Sequence, residues 1–298
     1  MKLSWQGVMP ALLTPFDSND AIDYLTFEKN TKAQLDAGVH GLVLGGTLGE
    51  ASTLRLEEKS ELIQEAKLIS NGSVPVIMNI AEASTADALK SVTQALRDGA
   101  DGLMVLPPMR YKADSRETIG YFRAIAHHSD LPIMIYNNPV DYGIEVTLPM
   151  FEKLLQCETV QAVKESTRVT SNITKLHNAF GNRLAILTGV DTIALESLML
   201  GADGWVAGLV DAFPKETVAI YNLVKNGEYD KARAINDWFM PLLELDVNSK
   251  LVQNIKLAAQ ATGIGTEYVR LPRLPLEGAE RHQVESILSK ALLNRPEL

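Results

Sequence analysis

At 298 residues the chain is long for one ordinary domain and short for two, a length that suits an α/β barrel of about 200 to 250 residues with an extension. Hydrophobic residues at 46% and charged residues at 22% exclude disorder, collagen and coiled coil, and no apolar run approaches the roughly 20 residues that span a bilayer. The net charge of -9, from 28 basic and 37 acidic residues, opposes approach to nucleic acid or an anionic membrane, so neither is an expected partner.

Strands are predicted over 7–14, 41–44, 74–79, 102–106, 131–136, 160–164, 184–187 and 204–207, where short runs of Val, Ile, Leu and Met stand between longer amphipathic stretches. Apolar residues at three- and four-residue spacing predict helices between them, for example over 57–69, 86–96, 117–126 and 192–200. Three helix-to-strand junctions share one design: Ala37-Gly38-Val39-His40-Gly41, Asp98-Gly99-Ala100-Asp101-Gly102 and Leu200-Gly201-Ala202-Asp203-Gly204. In each, the first glycine can end a helix in the left-handed region and the second begins a buried strand. Eight such units close a (β/α)8 TIM barrel more naturally than an open doubly wound sheet, which is the alternative. Residues 1–226 are expected to form this α/β barrel and 227–298 a C-terminal helical extension packed on it. The extension reads as helix over 229–262 and 280–293, joined by a proline-punctuated stretch at 270–276. The single cysteine, Cys157, leaves no intramolecular disulfide, and the first residues lack the apolar core of a signal peptide, so a cytoplasmic protein is expected.

Reactive groups of a barrel come from the C-terminal ends of its strands and the loops that follow. Lys164 ends a mostly apolar strand in which Val160, Ala162 and Lys164 are read as sharing one face. Desolvation there lowers an ammonium's pKa and leaves free amine able to attack a carbonyl; a lysine that merely snorkels to water is the plain alternative. Tyr136 ends the neighbouring strand, within reach of atoms attached to Lys164, and its phenol can pass protons; core packing with a wet hydroxyl is the other reading. The turn Gly45-Gly46-Thr47-Leu48-Gly49-Glu50 lacks a P-loop ending and a dinucleotide fingerprint. Its bare amides suit a small anion such as a carboxylate, with a tight strand-to-helix connection as the alternative. The five histidines show no metal-ligand spacing and no Gly-x-Ser-x-Gly elbow is present, so neither a metal-dependent aldolase nor a serine hydrolase is expected, and no metal or cofactor is assigned.

These residues resemble the dihydrodipicolinate synthase and N-acetylneuraminate lyase family of class I Schiff-base barrels. The resemblance runs over most of the chain: Gly7-Val8-Met9-Pro10-Ala11-Leu12-Leu13-Thr14-Pro15-Phe16, Gly46-Thr47-Leu48-Gly49-Glu50, Tyr136-Asn137-Asn138-Pro139, Val163-Lys164-Glu165-Ser166 and Gly189-Val190-Asp191. It implies a 2-oxo acid bound as an imine to Lys164, with Tyr136 and Thr47 relaying protons. It also implies a carboxylate held at the amides around Gly46, Thr47 and Leu48, a pocket lined at Gly189 and Val206, and a homotetramer built as a dimer of dimers. Three departures stand out. Leu48 replaces a second hydroxyl residue of the glycine turn. The relay tyrosine that one subunit of the family lends to its neighbour aligns with Arg110, with Tyr111 one step away. The arginine that grips a second substrate's carboxylate in the synthases aligns with Asp141, beside Asn138.

The run Tyr136-Asn137-Asn138-Pro139-Val140-Asp141-Tyr142-Gly143 is most similar to the branch that deaminates 1-pyrroline-4-hydroxy-2-carboxylate to 2,5-dioxopentanoate and ammonia. A small-molecule 2-oxo acid or cyclic imine is therefore the expected partner. Dihydrodipicolinate synthesis, aldol or dehydratase action on a sugar-derived 2-oxo acid, and a non-catalytic 2-oxo acid binding barrel are the alternatives.

Overall fold

Strands buried on both faces are made from near-continuous apolar runs, because no face is left for water. The computed structural model, which describes residues 3–108 and 111–298, has eight of them. They are β1 (Gly7–Pro10), β2 (Leu42–Leu44), β3 (Val76–Ile80), β4 (Gly102–Val105), β5 (Ile133–Asn137), β6 (Val160–Glu165), β7 (Ala185–Thr188) and β8 (Gly204–Ala207). All pair in parallel in the order β1-β8-β7-β6-β5-β4-β3-β2. The ring closes between β1 and β2 through the bridge Ala11–Val43, where the Leu12 N–H donates to the Val43 carbonyl at 2.9 Å. The protein is thus a (β/α)8 barrel, as the spacing of apolar runs predicts.

Helices lie between the strands, and their starts are written in the sequence. Asp23, Ser84 and Asp114 each accept a hydrogen bond from a backbone N–H of the first turn of the helices Tyr24–Asp36, Thr85–Arg97 and Ser115–Ala126. The three repeated junction glycines, Gly38, Gly99 and Gly201, have φ of +85°, +86° and +98°, the left-handed stop expected of them.

The structure corrects several boundaries. β1 ends at Pro10 rather than at residue 14, since the chain then turns inward and the Leu13 N–H donates to the buried Asp211 carboxylate instead of a strand. The expected helix over 192–200 is a 3-10 turn, Asp191–Ile193, followed by the helix Ala194–Met199. The expected helix over 229–262 is two helices, Tyr229–Leu243 and Leu251–Ala261, parted by a 3-10 turn at Glu244–Val247. Just beyond that turn the Asn248 side chain takes the Lys250 N–H at 2.8 Å, a local bond that competes with helix. This break delivers Asp246 and Val247 to the mouth of the barrel. The last helix, Gly278–Leu293, packs through Val284, Leu288 and Ala291. Ahead of it the Arg270 guanidinium donates two bonds of 2.9 Å to Glu58 and one to the Asp20 carbonyl, pinning the connection to the barrel.

Candidate active site

The pocket at the C-terminal mouth of the barrel is assembled from strand ends and the loops after them. β5 and β6 stand in the register Tyr136 beside Lys164, and the register steps by one between Ile133 and Met134. Val160 lies beside Ile133 and Ala162 beside Met134, so Gln161 is an extra residue in β6. The simple period of two from Val160 to Lys164 is therefore broken at Gln161; what holds is the end of the strand.

Lys164 is 6% exposed and Tyr136 7%, and the lysine Nζ sits 4.2 Å from the centre of the tyrosine ring. Burial pulls the Lys164 pKa down, opposed in part by the carboxylate of Asp246, and pushes the Tyr136 phenol up to about 12. The amine is thus biased toward its nucleophilic form while the phenol stays protonated at neutral pH. The Tyr136 hydroxyl accepts a bond of 3.1 Å from the Asn138 amide, which also donates to Asp141 at 2.7 Å. Asn138 is here a clamp on both residues.

Gly45 (φ +63°) turns the chain after β2, and a side chain there would strike the Met78 methyl at 2.7 Å. The Asn79 amide, at the end of β3, holds the same turn by donating to the Gly45 carbonyl at 2.8 Å. Gly46, Thr47 and Leu48 then face the pocket together with Gly189, Val206, Asn138 and Asp141, so the structure brings together all the residues expected to bind substrate. Ala11, Met104 and Leu251 complete apolar walls.

The Thr47 hydroxyl has its hydrogen-bond partner, at 2.6 Å, in the hydroxyl of Tyr142 in the same chain. Tyr111, expected as a residue lent to a neighbouring subunit, is 54% exposed and lies outside the pocket of its own chain, and Arg110 lies outside the described residues. Nor is the mouth without a guanidinium. Arg168, held at φ +64° in the loop after β6, lines the pocket and pairs with Asp141 at 3.5 Å.

Four residues escaped sequence reasoning. Arg168, Tyr142 and Asp246 sit on loops or a one-turn helix whose course no periodicity foretells, and Asp246 arrives from the far end of the chain. Ser166 is different, because it follows Lys164 by two residues and parity places it beside the pocket. Its buried hydroxyl makes no well-formed hydrogen bond but lies close enough to the Tyr136 phenol to help lower that phenol's pKa, and Gly189 leaves the space that Ser166 and Lys164 occupy: a Cβ there would lie 2.3 Å from the Ser166 hydroxyl and 2.6 Å from Lys164 Cε.

Lys256 is more deeply buried still, its pKa lowered to about 8 by desolvation. It is bound to the Glu50 carboxylate and donates to the Tyr268 carbonyl at 2.7 Å, away from the pocket lining. Burial alone therefore does not single out a nucleophile; position at the mouth does.

A buried amine and phenol at the ends of adjacent strands, facing a glycine turn with bare amides, define a barrel site suited to carbonyl chemistry on a small acid. The chain belongs to the dihydrodipicolinate synthetase family, whose model matches residues 4–291. It is 32% identical over 289 residues to a 4-hydroxy-tetrahydrodipicolinate synthase of Exiguobacterium sibiricum, covering 96% of this chain and 98% of that one. It is 31% identical over 287 residues to that of Sodalis glossinidius, with the same coverages. Among solved structures, dihydrodipicolinate synthase from Aquifex aeolicus matches with a TM-score of 0.91 at 28% identity, covering 97% of this chain and 98% of its own. The chloride-inhibited synthase from Acinetobacter baumannii, complexed with pyruvate, matches with a TM-score of 0.92 at 26% identity, covering 97% and 99%.

Proposed function

We infer that this chain is a lysine Schiff-base lyase of the 2-oxo acid class, with Lys164 as the nucleophile. The observation that carries this reading is the buried Lys164 amine against the Tyr136 ring at the barrel mouth. Attack of the amine on the C2 carbonyl gives a carbinolamine; the protonated Tyr136 phenol supplies the proton with which water leaves, and the imine remains. The substrate carboxylate rests on the amides of the turn at Thr47 and Leu48.

Two activities fall within that chemistry. The names of the relatives support condensation of pyruvate with aspartate semialdehyde more than they support deamination, and Arg168 offers a guanidinium to a second carboxylate. A specific feature of the pocket favours deamination of 1-pyrroline-4-hydroxy-2-carboxylate. Asp141 occupies Arg168 from one side, which makes the guanidinium less available to an incoming anion and offers a carboxylate to a cationic amine; Asp246, which burial pushes toward its neutral form, adds a second acceptor at the mouth. In that reaction Lys164 adds to the ring C=N carbon and the ring opens, freeing the amino group. The imine acidifies C3, the 4-hydroxyl leaves as water, and tautomerisation and hydrolysis release ammonia and 2,5-dioxopentanoate.

The purified enzyme given each substrate pair in parallel decides between them. Ammonia released in step with a dicarbonyl supports the deaminase, and a cyclic condensation product without ammonia from the pyrroline supports the synthase. Turnover of neither, with imine trapping intact, would assign the site to another 2-oxo acid.

A further inference from the structure

A proton leaving the substrate needs a route to water, and in this pocket that route has an unassigned second tyrosine. The one-turn helix Pro139–Tyr142 follows β5 directly, capped by Asn138 at its start and stopped by Gly143 at φ +73°. It folds Tyr142 back against Tyr136, ring edge to ring face, with centroids 5.6 Å apart. The Tyr142 hydroxyl meets Thr47 Oγ1 at 2.6 Å, the only side-chain hydrogen bond Thr47 makes among the described residues. Tyr142 is itself only partly buried, next to the exposed Asp141. One end of the Thr47–Tyr142 pair therefore faces the pocket and the other leads toward solvent.

We propose that Tyr142 is a positioning residue that completes the hydroxyl relay of the site from within the same chain, replacing a tyrosine lent by a neighbouring subunit. The proposal rests on the Schiff-base reading above. When Tyr142 donates to Thr47, the threonine hydroxyl hydrogen is free for the substrate; when Thr47 donates, the phenol passes its own proton outward. Burial and the neighbouring Tyr136 and Asp141 keep Tyr142 a neutral hydroxyl, able to do both. With the relay in cis, proton transfer belongs to each chain separately, and the exposed Tyr111 has no task in it.

The test is exchange of the C3 hydrogens of pyruvate for deuterium, read by NMR, which follows proton transfer whatever the final reaction is. In the imine the C3–H bond breaks, its electron pair forms the C2–C3 double bond of the enamine, the nitrogen takes the C=N pair, and a deuteron from solvent returns to C3. Tyr142→Phe keeps the ring and should trap pyruvate with borohydride as fully as the parent, yet exchange about 10- to 100-fold more slowly. Thr47→Val should slow exchange similarly, Thr47→Ser should restore it, and the Tyr142→Phe/Thr47→Val double variant should be no slower than the worse single one, because the pair acts as a unit. Exchange in Tyr142→Phe within twofold of the parent, or slowed by Tyr111→Phe instead, overturns the cis relay while leaving the imine intact. Failure of the parent protein to trap pyruvate at all removes the Schiff-base reading, and the relay with it.

Discussion

At the scale of single residues, two buried lysines with depressed pKa values are separated by what surrounds them. Lys256 is neutralised by Glu50 and closed in by a backbone carbonyl, whereas Lys164 Nζ has a ring face beside it and open pocket before it. Borohydride reduction with pyruvate should add mass to the peptide holding Lys164, and Lys164→Ala should abolish the adduct; retention of the adduct in that variant would refute the assignment. The pH dependence follows from the direction of the shift. Burial lowers the folded pKa of Lys164, so the reactive free amine accumulates as pH rises through a value below that of an ordinary lysine. The initial rate of imine formation should accordingly climb with pH and level off below the ordinary lysine range, as stopped-flow or quenched trapping would record. A rise that continues through pH values near 10.4 would mean that the lysine is not desolvated in solution.

At the scale of elements, the site depends on β6 and β7 approaching without an intervening side chain. Gly189 follows β7 without a positive φ, so alanine there fits the backbone, and the three nearest atoms its Cβ would meet belong to Ser166 and Lys164. These are flexible side chains, and they yield by moving away from the position a 2-oxo acid requires. Gly189→Ala should keep its melting temperature within a few degrees and lose about 100-fold in kcat/KM, the scale of a misplacement near 1 Å. Full activity in a folded Gly189→Ala protein would show that the crowding is relieved elsewhere. The element scale also sets what the sequence could reveal. The eight apolar runs and the three glycine junctions are local signals, so strand identity and order were legible, as were Lys164 and Tyr136 at strand ends. The break at 244–250 was not, because the apolar spacing of 229–262 continues across it and only Pro241 and the Asn248 turn oppose it.

At the scale of the whole molecule, one charged cluster fastens the C-terminal helices to the barrel. Glu50, in the glycine turn, binds Lys256 of the helix Leu251–Ala261 and accepts the Arg270 N–H at 3.1 Å, while Arg270 grips Glu58. Removing Lys256 leaves the buried Glu50 carboxylate to Arg273 at 3.5 Å and the Arg270 N–H, so Lys256→Met should cost about 3 kcal/mol in denaturant unfolding, and Glu50→Gln combined with Lys256→Met should recover a good part of it. A loss below about 1 kcal/mol would mean that water reaches Glu50. Because Glu50 belongs to the turn that carries Thr47 and Leu48, the single Lys256→Met variant should also weaken carboxylate binding and raise KM. Assembly is a separate matter: a solved relative with a TM-score of 0.90 at 26% identity is described as a monomeric dihydrodipicolinate synthase variant, so this architecture does not by itself demand a tetramer.

The sequence alone determined the barrel, since eight buried strands must be written as apolar runs, and it placed Lys164, Tyr136 and the glycine turn at the mouth, since each sits at the end of such a run. Tertiary structure decided the rest. The extra residue Gln161 in β6 sets Tyr136 beside Lys164, and a register one residue different would turn their side chains to opposite faces, a choice made by packing between strands and invisible in either strand. Likewise, the meeting of Thr47 with Tyr142, of Asp141 with Arg168, and of Asp246 with the mouth joins residues far apart in the chain, and spacing along a sequence carries no measure of such distances.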